Sequence, residues 1–126
     1  MIIKLRDNLF RERLLKRRQV VVLTLRYIAA EKKMVDQNRQ WKSASAEESR
    51  KRLLALLRDW YEDELEKIDS ALARIGTKDY GRCRVCRKPI ERRLLKLIPA
   101  ADLCLGCQKT QRHTEQTRRE GKIATA

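Results

Sequence analysis

Aromatic bulk is scarce in this chain: 126 residues hold one Phe, two Trp and three Tyr, while 38% of the residues are charged. That balance excludes a wide globular core. It leaves a narrow, elongated one, a seam between helices, and a small domain so built needs help at its ends, for which a metal is one candidate. The chain has one histidine, His113, which sits in a polar stretch and is read as a surface residue. No Ser-His-Asp constellation, Gly-rich phosphate loop or H-E-x-x-H pair is present, so no enzymatic activity is expected. A long apolar run is missing as well. The longest, Val20 to Leu23 followed by Thr24 and Leu25, falls far short of the roughly 18 to 20 residues that cross a bilayer. The N-terminal stretch Met1-Ile2-Ile3-Lys4-Leu5-Arg6-Asp7 alternates apolar and charged residues and shows no signal-peptide pattern. A soluble, cytoplasmic chain with no membrane partner is expected.

Charge of one sign dominates. The formal net charge of +14 predicts attraction to a polyanion or to an acidic protein surface and says nothing about fold. Apolar residues carry the fold. Leu14, Val21, Ile28 and Val35 recur every seven residues, with Phe10 and Leu25 in the second seam position, and predict a helix over about 5–35 that meets another helix. Leu54, Tyr61, Ile68 and Ile75 repeat the spacing, with Leu57, Leu65 and Leu72 between them, and predict a second helix over 46–75. The connecting stretch 36–45 is short and polar, so the helices turn back on one another and it forms the tip of a hairpin. Ser45-Ala46-Glu47-Glu48 fits a capping box that would start the second helix near Ala46.

An antiparallel hairpin pairs residues of constant index sum. The register that fits sets Phe10 against Leu72, Leu14 against Ile68, Val21 against Tyr61, Leu25 against Leu57 and Ile28 against Leu54. It also brings Asp63, Glu64, Glu66 and Asp69 near Arg18, Arg17, Lys16 and Arg13, as solvated pairs each contributing under about 1 kcal/mol. At about 1.5 Å per residue the arm is roughly 45 Å long. Gly76 takes the left-handed position that ends the second helix. A polar helix is expected over about 105–119, with a frayed tail over 120–126. The organisation expected is a hairpin over 1–75 with its tip at about 36–45, a cysteine-bearing finger over 76–109, and a terminal helix and tail over 110–126.

All four cysteines fall in two pairs, Cys83-Arg84-Val85-Cys86 and Cys104-Leu105-Gly106-Cys107, separated by 17 residues. Disulfide scaffolds usually spread their cysteines through a short secreted chain; two C-x-x-C pairs at this separation fit tetrathiolate zinc, and a reducing compartment. Two residues between ligands let a tight turn aim both sulfurs at one ion, with Gly81 and Gly106 relieving crowding near the turns. Four thiolates close a tetrahedron at about 2.3 Å and leave no position for water or substrate, which makes the ion structural. A redox-active C-x-x-C or an iron centre accounts less well for two pairs so spaced.

The run Tyr80-Gly81-Arg82-Cys83-Arg84-Val85-Cys86-Arg87-Lys88-Pro89-Ile90, followed by Ile98-Pro99-Ala100-Ala101-Asp102-Leu103-Cys104-Leu105-Gly106-Cys107-Gln108, resembles the DksA/TraR zinc-finger family. The likeness is strong over about 76–108 and one of architecture for the hairpin before it. It implies a mainly α fold, a coiled-coil hairpin with a four-cysteine zinc finger and a terminal helix. It also implies a bacterial or phage transcription regulator that binds RNA polymerase directly, its coiled coil inserted through the secondary channel and its finger on the rim, with one structural Zn2+.

One departure stands at the tip. Family members with the known activity carry Asp-x-x-Asp-x-Ala, whereas the corresponding stretch Gln40-Trp41-Lys42-Ser43-Ala44-Ser45 holds no carboxylate; Asp36 and Glu47 are the nearest acids. Either the tip acts differently or the protein occupies the channel without the usual effect. Candidate tip contacts are Arg39, Trp41, Lys42, Ser43 and Ser45, with Trp41 as an aromatic anchor beside cations or, equally, folded back over Val35. The finger is basic, notably at Arg82, Arg84, Arg87, Lys88, Arg92 and Arg93, which supports a rival reading as a zinc-dependent nucleic-acid-binding module with salt-sensitive affinity. A structural component of a larger assembly is the third reading.

Overall fold

The computed structural model describes residues 2–37 and 43–124, with side chains over 5–37 and 43–117. Four helices follow in chain order: α1 (Ile2–Gln37), α2 (Ala44–Arg74), α3 (Arg92–Leu97) and α4 (Leu105–Ala124). Among the described residues there is no strand, and Arg82 and Pro89 form an isolated antiparallel bridge. No described helix is long and apolar enough to cross a membrane. The fold is mainly α, as the periodicity predicts, and α1 and α2 form the hairpin.

The two heptad series are the seam. Leu14, Val21, Ile28 and Val35 on α1 and Leu54, Ile68 and Ala71 on α2 are buried, together with Ile75 at the α2 C-cap. Phe10, Leu25, Tyr61, Leu65 and Leu72 pack against them partly exposed. Ile28 clusters with Leu54 and Leu14 with Ile68, as the predicted register requires, and Tyr61 packs against the cluster that holds Val21. Asp7 continues the seven-residue series as a buried carboxylate, its charge met by Arg6 at 3.4 Å.

The charged flanks differ from expectation in detail. Arg17 meets Glu64 through two bonds of 2.6 and 3.0 Å, as predicted. Arg18 reaches Asp69 at 2.7 Å rather than Asp63, which pairs instead with Lys67 one turn along its own helix, while Lys16 turns to Glu12. Partners one turn along the same helix need no cross-hairpin alignment, which favours the pairs that Asp63 and Lys16 make.

Helix α2 starts two residues earlier than the capping-box reading allows. Ser43 is the N-cap, in extended conformation, and its hydroxyl accepts from the Ala46 amide at 3.2 Å; Ser45 lies inside the first turn. With Ser43 as cap the third helical residue is Ala46, so no reciprocal carboxylate is available, and Glu47 and Glu48 bind Lys51 and Arg52 instead. Lys51 also meets Asp36 at 3.5 Å. The two acids flanking the tip are thus held by one lysine at the hairpin end. At the other end Gly76 does take a left-handed conformation, φ +85°, after the cap at Ile75.

Below the hairpin, Tyr80 joins it to the finger. Its ring is buried, leans on Phe10 at 6.0 Å between centroids, and its hydroxyl donates to the Pro99 carbonyl at 3.0 Å. Phe10 packs against both the hairpin core and the finger core of Cys83, Ile90, Leu94, Leu95, Ala101 and Leu103. Helix α3, absent from the sequence reading, supplies Leu94 and Leu95 to that core. Helix α4 begins at Leu105 and continues to Ala124, beyond the expected end near 119 and into the stretch expected to fray.

Candidate metal centre

Two unlike pieces of backbone present the four sulfurs. The first pair lies on a turn: the Arg87 amide donates to the Cys83 carbonyl at 3.0 Å and the Cys83 amide to the Lys88 carbonyl at 2.8 Å. Arg87 closes this turn with φ +64°, the one non-glycine residue in the left-handed region among the described residues. Gly81, at φ +80°, precedes it, where a Cβ would stand 3.5 Å from Leu95. The second pair lies at the start of α4. The Gln108 amide bonds the Cys104 carbonyl at 2.9 Å and the Cys107 amide donates to the Cys104 sulfur at 3.4 Å, so the sulfur sits where a capping side chain would. Gly106 does not play the part expected of it: it is helical, and a Cβ there would meet nothing within 4 Å.

The sulfurs of Cys83, Cys86, Cys104 and Cys107 lie within 4.8 Å of one another, Cys86 and Cys104 at 3.7 Å, and none is in a disulfide. Four sulfurs about 2.3 Å from a common centre would stand about 3.8 Å apart. The cluster therefore has the dimensions of one tetrahedral ion, with no place for a fifth ligand. A sulfur–sulfur bond would need about 2.05 Å. The four cysteines are positioned to hold a structural metal.

The local electrostatics favour thiolate at one corner. Burial pushes the Cys83 thiol up, but backbone amides of the turn and of Cys104 outweigh it and bring it down to about 6. Hydrogen bonds to the Cys104 and Cys83 sulfurs raise the Cys107 thiol to about 12. A bound cation would draw the protons from all four.

Two carboxylates brace this arrangement, and sequence reading assigned neither a role. Glu91, the residue preceding α3, accepts from the Leu105 amide at 3.2 Å and so holds the α4 N-terminus beside the second pair. The Asp102 carboxylate forms an ion pair with the Arg84 guanidinium at 3.5 Å, while its carbonyl accepts from the Arg84 amide at 2.8 Å, tying the first pair to the approach of the second. Both links span sequence distances at which no spacing rule applies.

Of the other candidate residues, Arg82, Arg84, Arg87, Lys88, Arg92 and Arg93 are all exposed on the finger, Arg84 also forming an ion pair with Asp102. Ser45 is exposed and Ser43 is engaged as the α2 cap. Arg39, Trp41 and Lys42 lie outside the described residues. His113 is exposed on α4, and the four-cysteine cluster does not include it.

No family model matches the chain. Over 44 residues it is 39% identical to the RNA polymerase-binding transcription factor DksA of Haemophilus influenzae and 41% identical to that of Buchnera aphidicola. These matches take in 35% of this chain and span 30% and 29% of the relatives' own length. Transcription factor DksA2 of Pseudomonas aeruginosa superposes with a TM-score of 0.74 at 28% identity, covering 87% of this chain and 85% of that one. The chain is thus similar to DksA over a 44-residue stretch and shares the fold of DksA2 over most of its length.

Proposed function

We propose that this chain is a transcription regulator that binds bacterial RNA polymerase directly, inserting its hairpin into the secondary channel with the finger resting on the rim. The observation that carries this reading is the superposition on a transcription factor over 87% of the chain, hairpin included. The relatives matched in sequence are named RNA polymerase-binding factors. A two-helix rod with α1 of 36 residues, about 54 Å at 1.5 Å per residue, is a suitable probe for a narrow channel.

In this reading Cys83, Cys86, Cys104 and Cys107 hold one Zn2+, which supplies folding free energy and no reaction chemistry. Its work is to fix the turn of the first pair against the α4 N-terminus, and with it the finger against the hairpin base. The division into a hairpin over 1–75, a finger over 76–109 and a terminal segment over 110–126 belongs to the same proposal, with α4 starting inside the finger.

The tip acts without the family's acidic motif. Asp36 and Glu47, which flank it, share Lys51, so contacts there fall to Arg39, Trp41, Lys42 and Ser45 while Ser43 keeps the helix capped. The test replaces Arg39, Trp41 and Lys42 together by alanine, which leaves the Ser43 cap in place, and follows in vitro transcription and competition with another secondary-channel ligand. Competition by the wild type, with the transcriptional effect lost in the triple variant, supports channel action. Polymerase binding without competition would place the protein elsewhere on the enzyme and overturn it.

A nucleic-acid-binding reading keeps one specific support, the exposed Arg82, Arg84, Arg87, Lys88, Arg92 and Arg93 of the finger. Charge reversal at Arg87 and Arg92 separates the two. Such a change abolishes a salt-sensitive shift of DNA or RNA if phosphate contacts are the function, and leaves hairpin-driven polymerase binding largely intact.

A further inference from the structure

On one side of the molecule the hairpin and the finger stand apart and leave a cleft of about 860 Å³. One wall comes from α1 between Arg13 and Arg17 and from α2 between Asp59 and Ile68; the other is the chain from Leu97, the last residue of α3, to Asp102. Three large apolar side chains stand in this lining at 71%, 79% and 48% exposure: Trp60, Leu97 and Ile98. None of the three belongs to a core cluster. The walls are fixed before anything binds. Tyr80 on the Pro99 carbonyl ties the finger wall to the hairpin base, the Ala101 amide donates to the Ile98 carbonyl at 3.0 Å, and Asp102 is held by Arg84. Little ordering therefore opposes an occupant.

Charge narrows the choice of occupant. Each carboxylate in the lining already has a cation: Glu64 has Arg17 at 2.6 Å, Asp59 has Arg58 at 3.3 Å, Asp63 has Lys67 at 3.4 Å and Asp102 has Arg84 at 3.5 Å. Arg13 lines the cleft, is exposed, and makes no ion pair among the described residues. The site thus offers an apolar surface with one uncompensated positive charge at its edge. An exposed tryptophan in such a setting is the kind of side chain that anchors a protein interface.

Resting on the polymerase reading above, we infer that this cleft receives an amphipathic helix of RNA polymerase, its apolar face against Trp60, Leu97 and Ile98 and a carboxylate at its edge opposite Arg13. Position argues for the enzyme as the source. If the hairpin enters a channel and the finger stays outside, the notch between them faces whatever element forms the channel mouth. Shape argues for a helix: a groove bordered by apolar side chains along a helix takes an amphipathic helix, whose anchors recur one turn apart. The cleft then acts as a depth stop, setting how far the hairpin reaches.

The test is equilibrium binding of the full metal-loaded chain to bacterial RNA polymerase, and separately to duplex DNA and single-stranded RNA, at moderate salt. Trp60→Ser, Leu97→Ser and Arg13→Gln probe the cleft. Leu15→Ser and Arg11→Gln are matched controls: Leu15, 51% exposed, follows the seam residue Leu14 as Arg13 precedes it and so faces the other side of the hairpin, and Arg11 is exposed outside the cleft. The result expected is a polymerase affinity at least about tenfold weaker for Trp60→Ser and about threefold to tenfold weaker for Leu97→Ser and Arg13→Gln, with the controls within about twofold of wild type and helix content equal in all. Should Trp60→Ser lose helix content, Leu97→Ser and Arg13→Gln decide. Wild-type binding that the cleft variants leave intact, or that the controls weaken as much, overturns the inference while polymerase binding stands. Cleft variants that lose DNA or RNA affinity and keep polymerase affinity overturn it too and give the cleft to nucleic acid. A wild type that does not bind polymerase overturns the proposed function and this inference with it.

Discussion

Tyr80→Phe removes one oxygen from the joint between hairpin and finger, and its effect can be worked through. The hydroxyl donates to the Pro99 carbonyl at 3.0 Å while the ring, 5% exposed, leans on Phe10. Phenylalanine keeps the ring and its packing, so the loss is one hydrogen bond to a part-buried acceptor, about 1 kcal/mol. Urea unfolding of the metal-loaded chain at neutral pH measures it.

The pH profile gives a second, independent reading of the same group. Burial first, and the Asp7 charge second, push the Tyr80 hydroxyl from the ordinary 10 up to about 12. A group whose folded value is raised contributes its stability in full below its unfolded value and loses it as pH climbs through the folded value. The advantage of wild type over Tyr80→Phe should therefore be constant up to about pH 10, then shrink toward pH 12. Metal ligands and other tyrosines are common to both proteins and cancel. A difference of zero at neutral pH, or one that stays flat into the alkaline range, would refute the account of the joint.

Three further outcomes follow from particular residues. Cys83→Ser or Cys104→Ser, or chelation of the wild type, should unfold the finger cooperatively, and metal affinity should fall as pH falls because four thiolates must form; an unchanged melting profile after metal removal would contradict the structural role. Gly76→Ala forces a side chain to φ +85° with no clash, its nearest neighbour at 3.5 Å, and should cost about 1–2 kcal/mol, whereas Gly106→Ala, helical with open space around it, should stabilise by about 0.5–1 kcal/mol; thermal melts rank the two. Ser43→Ala should cost about 0.5–2 kcal/mol as a lost cap and Ser45→Ala almost nothing, and equal losses would restore Ser45 as the cap.

The hairpin and the four sulfurs were legible because each rests on a repeated spacing. Leu14, Val21, Ile28 and Val35 answer Leu54, Ile68 and Ile75 over many turns, so the periodicity outweighs any single residue, and two C-x-x-C pairs leave little choice of partner. What the sequence hid was decided locally or at long range. Ser43 and Ser45 have the same capping chemistry two residues apart, and the backbone picks between them. Helix α3 has six residues, too few to show a period. Asp63 had both a cross-hairpin and an i+4 lysine partner, and took the nearer. Glu91 at the α4 N-terminus and Tyr80 on Pro99 join segments that no spacing rule relates.

The central claim is direct binding to RNA polymerase, and co-sedimentation tests it without reference to any promoter. The metal-loaded chain is mixed with bacterial RNA polymerase, and separately with duplex DNA and single-stranded RNA, at the same moderate salt. The account predicts saturable binding to polymerase at one chain per enzyme and none that persists on nucleic acid alone. Binding to DNA or RNA that survives this salt, with polymerase left free, would contradict it and move the function to the basic finger.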